Sequence, residues 1–247
     1  MLQPESKANE LLEMLVDSML TGKLNLLPLE VMRIKKEIDK LPDPIFKLYL
    51  KGTIGILTGK NLTESMSLCE RAINMDKSSS FYWSNYIVTL RNFGFLKKHY
   101  EFIEETSHLM SFSPKRVGYE LFMSGIFLLR TDLSEFAIST LDKMDISLSD
   151  IGLDDSNIAT LNLIYENPEK IAKLKPMVSC LLDVVDKQYT GTILSSIKKY
   201  PDGTICYVFM ADLSIDMVST LNDRLFDKLY EKDLLSSDIC VYIDSKE

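Results

Sequence analysis

Histidine and cysteine are scarce: the 247-residue chain has two of the first and four of the second. Cys69, Cys180, Cys206 and Cys240 lie far apart, with no Cys-Xaa-Xaa-Cys pair and no histidine cluster beside them, so no zinc-binding pattern is present. That spacing reads as buried free thiols in a reducing compartment rather than as a disulfide frame. No uncharged apolar run approaches the roughly 18 residues that a membrane span needs. Glu5, Lys7 and Glu10 precede any apolar stretch, which is not the pattern of a secretory leader. The expectation is a cytoplasmic protein. Net positive charge is missing too, since 28 Lys and Arg stand against 36 Asp and Glu, a balance of −8. Binders of nucleic acid or anionic membranes depend on a basic surface to displace counterions, so the composition argues against both.

Catalytic patterns are absent in the same way. Gly55-Ile-Leu-Thr-Gly59-Lys60-Asn61 has three residues between its glycines where a phosphate loop has four, and Asn where that loop has Ser or Thr. It reads as the end of a helix. In the acidic stretch after Asp145, Asp150 holds the position a calcium loop gives to glycine, and Ser156 that of the closing Glu, so a solvated linker is the better reading. His99 and His108 are nine residues apart, which puts them on opposite faces of one helix. Each reads as a surface or capping histidine, and neither has a recognisable nucleophile beside it. No catalytic residue, metal or cofactor is expected.

What the first 145 residues do contain is apolar residues at helical spacing. Leu11, Leu12, Leu15, Val16, Met19 and Leu20 mark a helix over 5–21; Pro28 opens a second and Pro44 closes that unit. Further helices are predicted at about 45–58, 63–75, 80–92, 96–110, 117–130 and 133–144, separated by short polar breaks. Such lengths and connections predict antiparallel helix pairs.

Tyr49 and Trp83 stand 34 positions apart at equivalent places on two first helices, the period of a tetratricopeptide repeat, and with Tyr49 as the fourth residue of a unit Ala72, in Glu70-Arg71-Ala72-Ile73-Asn74, falls where that family has its second-helix alanine. Thr131-Asp132-Leu133-Ser134-Glu135-Phe136-Ala137 looks like another second-helix start. Through these residues the region 5–145 resembles the tetratricopeptide repeat family, in three to four degenerate units. Tyr86, Ile87 and Leu90 replace the Leu, Gly and Tyr that the family places after its tryptophan, and Pro114 comes three residues late. The resemblance implies a concave groove lined by Lys47, Leu50, Ile54, Leu57 and Thr58 in one unit, and by Phe81, Ser84, Val88, Arg91 and Asn92 in the next. The family's Lys, Asn and Arg carboxylate clamp is not reproduced, so the implied groove suits a helix or an extended apolar segment. Tyr49 and Trp83 themselves read as core.

The polar stretch 145–157 is the expected domain boundary, dividing a helical domain at 1–150 from a small acidic α+β domain at 151–247. Helical patterns return at 156–165 and 168–187, with Pro176 inside the second. Beyond Gly191 the period changes: Thr192–Lys199 and the wholly apolar Thr204–Ala211 flank the turn Pro201-Asp202-Gly203. Ser214 then caps a helix striped by Val218, Leu221, Leu225 and Leu229, and Asp238–Ile243 forms a last strand. The order αββαβ predicts a small α+β or ferredoxin-like sandwich, with strands 204–211 and 238–243 in one sheet. Residues 1–150 carry a net −2 and residues 151–247 a net −6. Asp212, Asp216, Asp223 and Asp227 surround the last helix as a candidate acidic face.

These features predict a non-enzymatic protein-interaction module, a cytoplasmic regulatory adaptor or chaperone-like protein. Its partner would be another protein, with a peptide or helix in the groove or a basic protein at the acidic domain. A narrower version is an immunity or antitoxin-like inhibitor masking a basic active site. Self-association through the repeat ends stays open. The alternatives are an enzyme with its site at the C-terminal sheet, where Asp212 follows an apolar strand, and a regulator associated with nucleic acid, which lacks an Arg- and Lys-rich recognition helix.

Overall fold

The computed structural model describes residues 4–246, in which ten α-helices are followed by a three-stranded sheet with an eleventh helix between its last two strands. The helices are α1 (Pro4–Thr21), α2 (Pro28–Asp39), α3 (Pro44–Leu57), α4 (Leu62–Met75), α5 (Ser80–Asn92), α6 (Leu96–Glu105), α7 (Pro114–Phe127), α8 (Thr131–Lys143), α9 (Asp155–Glu166), α10 (Pro168–Val185) and α11 (Ile215–Glu231). Proline opens five of them, where its missing N–H is not needed and its fixed φ suits the first turn. The strands are β1 (Ile193–Lys199), β2 (Ile205–Ala211) and β3 (Ile239–Ser245).

The chain gathers into two compact units. The first comprises 1–94 with 190–192, and the second 95–189 with 193–247. The acidic stretch at 145–157 lies inside the second unit. There, Phe127 of α7 packs edge-on against Tyr207 and Phe209 of β2, with ring centroids 5.8 and 6.2 Å apart, so the helices before the stretch share a core with the sheet after it. Read on these units, the first carries 12 basic and 11 acidic side chains and the second 16 and 25, a net of +1 against −9.

One helical hairpin is built twice. α3 pairs with α4 and α7 with α8, and Pro44 and Pro114 open them seventy positions apart. Each first helix ends on a left-handed residue, Gly59 or Leu129, and the next N–H reaches back five residues, Lys60 to Gly55 at 3.1 Å and Arg130 to Gly125 at 2.7 Å. Both hairpins close on a glycine facing a serine. A Cβ on Gly55 would stand 2.0 Å from the Ser65 hydroxyl, and one on Gly125 2.2 Å from that of Ser134. Those serines donate to the Lys60 and Phe122 carbonyls. Tyr49, Ala72 and Trp83 are buried in the first unit's core. The helix expected over 96–110 stops at Glu105 and gives way to a short 3-10 turn, Ser107–Ser111.

In the sheet, β2 is central, antiparallel to β1 and parallel to β3. Ile205, Tyr207 and Phe209 of β2 share one face with Ile239, Val241 and Ile243 of β3, and all are buried. The register also sets Cys206 beside Cys240, and the two are joined by a disulfide. This corrects the expectation of four free thiols. A pair made by strand register across an intervening helix leaves no close spacing in the sequence. Cys69 and Cys180 are free and buried, and burial pushes the Cys69 thiol up to about 12. Among the described residues no helix is long and apolar enough to cross a membrane.

Candidate functional site

The groove residues lie on α3 and α5 of the first unit, and the structure divides them. Leu50 and Ile54 are buried core, as is Leu57, and the Thr58 hydroxyl donates to the Ile54 carbonyl at 2.7 Å. Asn92 is also buried, and its side-chain nitrogen donates to the Met19 and Leu20 carbonyls at 3.0 and 2.9 Å, satisfying the end of α1. Lys47, Ser84, Val88 and Arg91 are half-buried, and Phe81 is exposed. Phe81 belongs to a cluster: its ring stacks on Phe46 at 6.1 Å and meets Tyr82 edge-on at 5.4 Å, while Tyr49 lies 5.0 Å from Tyr82.

Beside this cluster opens a cavity of about 310 Å³ lined by Leu41, Pro42, Asp43, Phe46 and Tyr82 together with Ala8 and Asn9 of α1. Asp43 is fixed there because it caps α3, its carboxylate accepting from the Ile45 and Phe46 backbone N–H groups at 2.8 and 3.3 Å. Burial, then the nearby Asp43 and Asp76 carboxylates, push the Tyr82 phenol up to about 12, so it stays a hydrogen-bond donor at any physiological pH. Phe46 and Tyr82 were legible as apolar helix positions. Their meeting with the loop before α3 was not, because it depends on how α1, α3 and α5 pack.

The acidic candidates belong to the second unit. Asp212 follows β2, and α11 carries Asp216 in its first turn, Asp223 and Asp227; all four are exposed. The Ser214 hydroxyl accepts from the Met217 N–H at 3.3 Å and starts this helix as expected. The one base a helical turn from these aspartates is Arg224, three residues before Asp227, and the two form no ion pair among the described residues. Lys228 pairs with Asp183 on α10, which also accepts from Lys97 of α6 at 2.5 Å. Asp212, Asp216, Asp223 and Asp227 therefore keep their charge unneutralised among the described residues. Apolar side chains are exposed on the same helix: Ile215, Phe226 and Tyr230 show 76%, 56% and 71% of their surface, and the last two rings stack at 6.5 Å. Carboxylates alternating with exposed aromatics form a surface able to hold a cationic, partly apolar partner. The aromatics escaped the sequence reading because the stripe Leu221, Leu225, Leu229 already accounted for the buried side.

Among the described residues, no group of three His, Cys, Asp or Glu side chains is placed to hold a metal ion. His99, expected at the surface, is buried with its ring 4.8 Å from that of Tyr100. His108 falls past the end of α6, exposed, with Nδ1 3.2 Å from the Glu105 carbonyl oxygen. Buried Glu120 is met by Arg116 one turn earlier at 3.2 Å. No family model matches the chain, nor does any curated protein or solved structure.

Proposed function

We propose that the chain is a non-enzymatic protein-interaction module, a regulatory adaptor or chaperone-like protein whose second unit docks a basic protein partner. The observation that carries this reading is the unpaired acidic face of α11: Asp216, Asp223 and Asp227 exposed beside Phe226 and Tyr230, on a unit with a net charge of −9. Charge of one sign on a docking face speeds encounter with the opposite sign and repels its own. Exposed aromatic rings supply the anchors that charge alone lacks. Within this reading, an immunity or antitoxin-like inhibitor that masks a basic active site is the narrower form.

The twice-built hairpin, with its seventy-residue offset, supports a degenerate tetratricopeptide-like repeat as the scaffold of this module. The aromatic cluster at Phe46, Phe81 and Tyr82 supports a second, apolar contact on the first unit, with Lys47, Ser84, Val88 and Arg91 at its side. A cytoplasmic setting belongs to the same proposal. Buried free Cys69 and Cys180 favour it, and the Cys206–Cys240 bond weighs against it, because disulfides are rare in a reducing compartment. Affinity capture from the native host followed by mass spectrometry tests the central reading. The expected result is a stoichiometric basic protein that is lost when Asp216, Asp223 and Asp227 are all changed to Lys. Capture of no protein, or of the same partner by the changed chain, overturns it.

A further inference from the structure

The connection from α1 to α2 in the first unit turns its apolar side chains to the outside. Leu24, Leu27, Leu29 and Met32 expose 40%, 68%, 78% and 57% of their surface. Leu27 has no folding role to explain it: it holds the N-cap position of α2, where it offers no oxygen to the first-turn N–H groups, and it is not buried either. The backbone beneath these side chains is nevertheless fixed. The Asn25 N–H donates to the Ser18 hydroxyl at 3.0 Å, and its Nδ2 to the Asp17 carboxylate at 2.6 Å and the Thr21 hydroxyl at 3.1 Å. Pro28 sets the first turn of α2, and the Glu30 carboxylate accepts from the Leu27 N–H at 2.8 Å. The leucines are thus held ready, with little ordering left to be done when something binds them.

Positive charge adjoins them. Val31, Ile34 and Ile38 bury one side of α2, and at about 100° per residue Leu29, Met32, Arg33, Lys36 and Lys40 spread over the opposite side, apolar in the first turn and basic beyond it. Lys23, Arg33 and Lys36 are exposed and form no ion pair among the described residues. The one acid between Lys23 and Lys36 is Glu30, engaged on the Leu27 N–H, and Glu37, near Arg33, is held by Lys40 at 2.7 Å. The chain's excess of acid lies in the other unit, so the balance of −8 does not describe this patch. We propose that the α1–α2 connection docks on an anionic bilayer surface, its leucines entering the boundary between headgroups and acyl chains while Lys23, Arg33 and Lys36 meet the lipid headgroups. Shallow apolar insertion combined with basic charge is what reversible attachment to such a surface takes. A nucleic acid would use the bases and leave the leucines in water. A protein partner would need hollows shaped to these projecting side chains, which a fluid bilayer does not. The proposal goes beyond the docking of a basic protein on α11 and does not depend on it.

The test is sedimentation of the full chain with vesicles of phosphatidylcholine alone, or of phosphatidylcholine with about 30% phosphatidylglycerol. The expected result is binding to the anionic vesicles, little to the neutral ones, and release at about 1 M salt, where the screening length is about 3 Å. Leu27→Ser with Leu29→Ser should weaken binding about tenfold without lowering the urea midpoint, because serine at position 27 supplies the cap oxygen that leucine lacks. That pair separates loss of binding from loss of folding. Arg33→Gln with Lys36→Gln should weaken binding about twenty-five-fold, about fivefold for each charge near the surface. In a Leu29→Trp chain, brominated lipid should quench the new indole while the buried Trp83 stays bright. No binding, equal binding to neutral vesicles, or binding indifferent to both pairs of substitutions would overturn the proposal. So would a lipid-free oligomer, seen by sedimentation equilibrium, that Leu27→Ser with Leu29→Ser disperses, since a second copy of the chain would then be what covers the patch.

Discussion

Asp183 holds two ammonium groups at once, Lys97 and Lys228, and this fixes how the second unit responds to acid. Burial alone would raise its carboxyl, but hydrogen bonds from Lys228 and Lys97 outweigh burial and hold it below the usual carboxylate value. A depressed folded value means that the contribution is complete above the unfolded value of about 3.9 and is lost as pH falls through the folded one. Asp183→Asn should therefore cost about 1 kcal/mol at neutral pH, with the gap from the original chain closing below about pH 4 in urea unfolding. The cysteines give a second prediction: denatured, unreduced protein should titrate two thiols, and reduced protein four. Changing both Cys206 and Cys240 to Ala should cost roughly 3–4 kcal/mol by loop entropy, read from the urea midpoint. Neither feature was legible in the sequence. Asp183 and Lys228 lie 45 positions apart on different helices, and Cys206 and Cys240 are far apart in the chain; in both cases tertiary placement chose the partner.

Hairpins and strands were far more legible, since their signals are local. Pro28 and Pro168 mark helix starts, and Ser214 caps α11 where the apolar stripe begins. The wholly apolar β2 is covered on both faces, as its composition implied. What the sequence does not carry is direction and partnership: that β1 is antiparallel and β3 parallel to β2, or that the Asn222 amide of α11 clamps β3 at the Ile243 backbone. Pro114 illustrates the gap, because it starts α7 three residues before the apolar pattern begins. The glycine contacts of the repeated hairpin are testable as elements. Gly55→Ala should destabilise by about 1–3 kcal/mol through its clash with Ser65, and Ser65→Gly in the same chain should recover part of that loss. Gly59→Ala meets no neighbour, yet its φ of +65° is left-handed, so it should cost about 1 kcal/mol that Ser65→Gly does not restore. Thermal or urea unfolding of the four variants separates close packing from backbone strain.

At the scale of the whole chain, scarce histidine, dispersed cysteine and an acidic balance pointed away from catalysis and toward association, and the structure sharpens the last of these. The charge of −8 is the sum of a nearly neutral unit, at +1, and one of −9, and in the second unit Asp216, Asp223 and Asp227 stand exposed on a helix that also exposes Phe226 and Tyr230. The boundary mattered: the polar stretch at 145–157 suggested a division in sequence, whereas Phe127 against Tyr207 and Phe209 places the preceding helices in the sheet's own unit. The most direct test is the association rate with the captured partner, measured from about 0.01 M to about 1 M salt, over which the screening length shrinks from about 30 Å to about 3 Å. The account predicts a rate that falls at least tenfold across that range, and a chain carrying Asp216→Lys, Asp223→Lys and Asp227→Lys that is slow at every salt concentration while its unfolding free energy stays within about 0.5 kcal/mol of the original. A rate that ignores both salt and the three substitutions would contradict it.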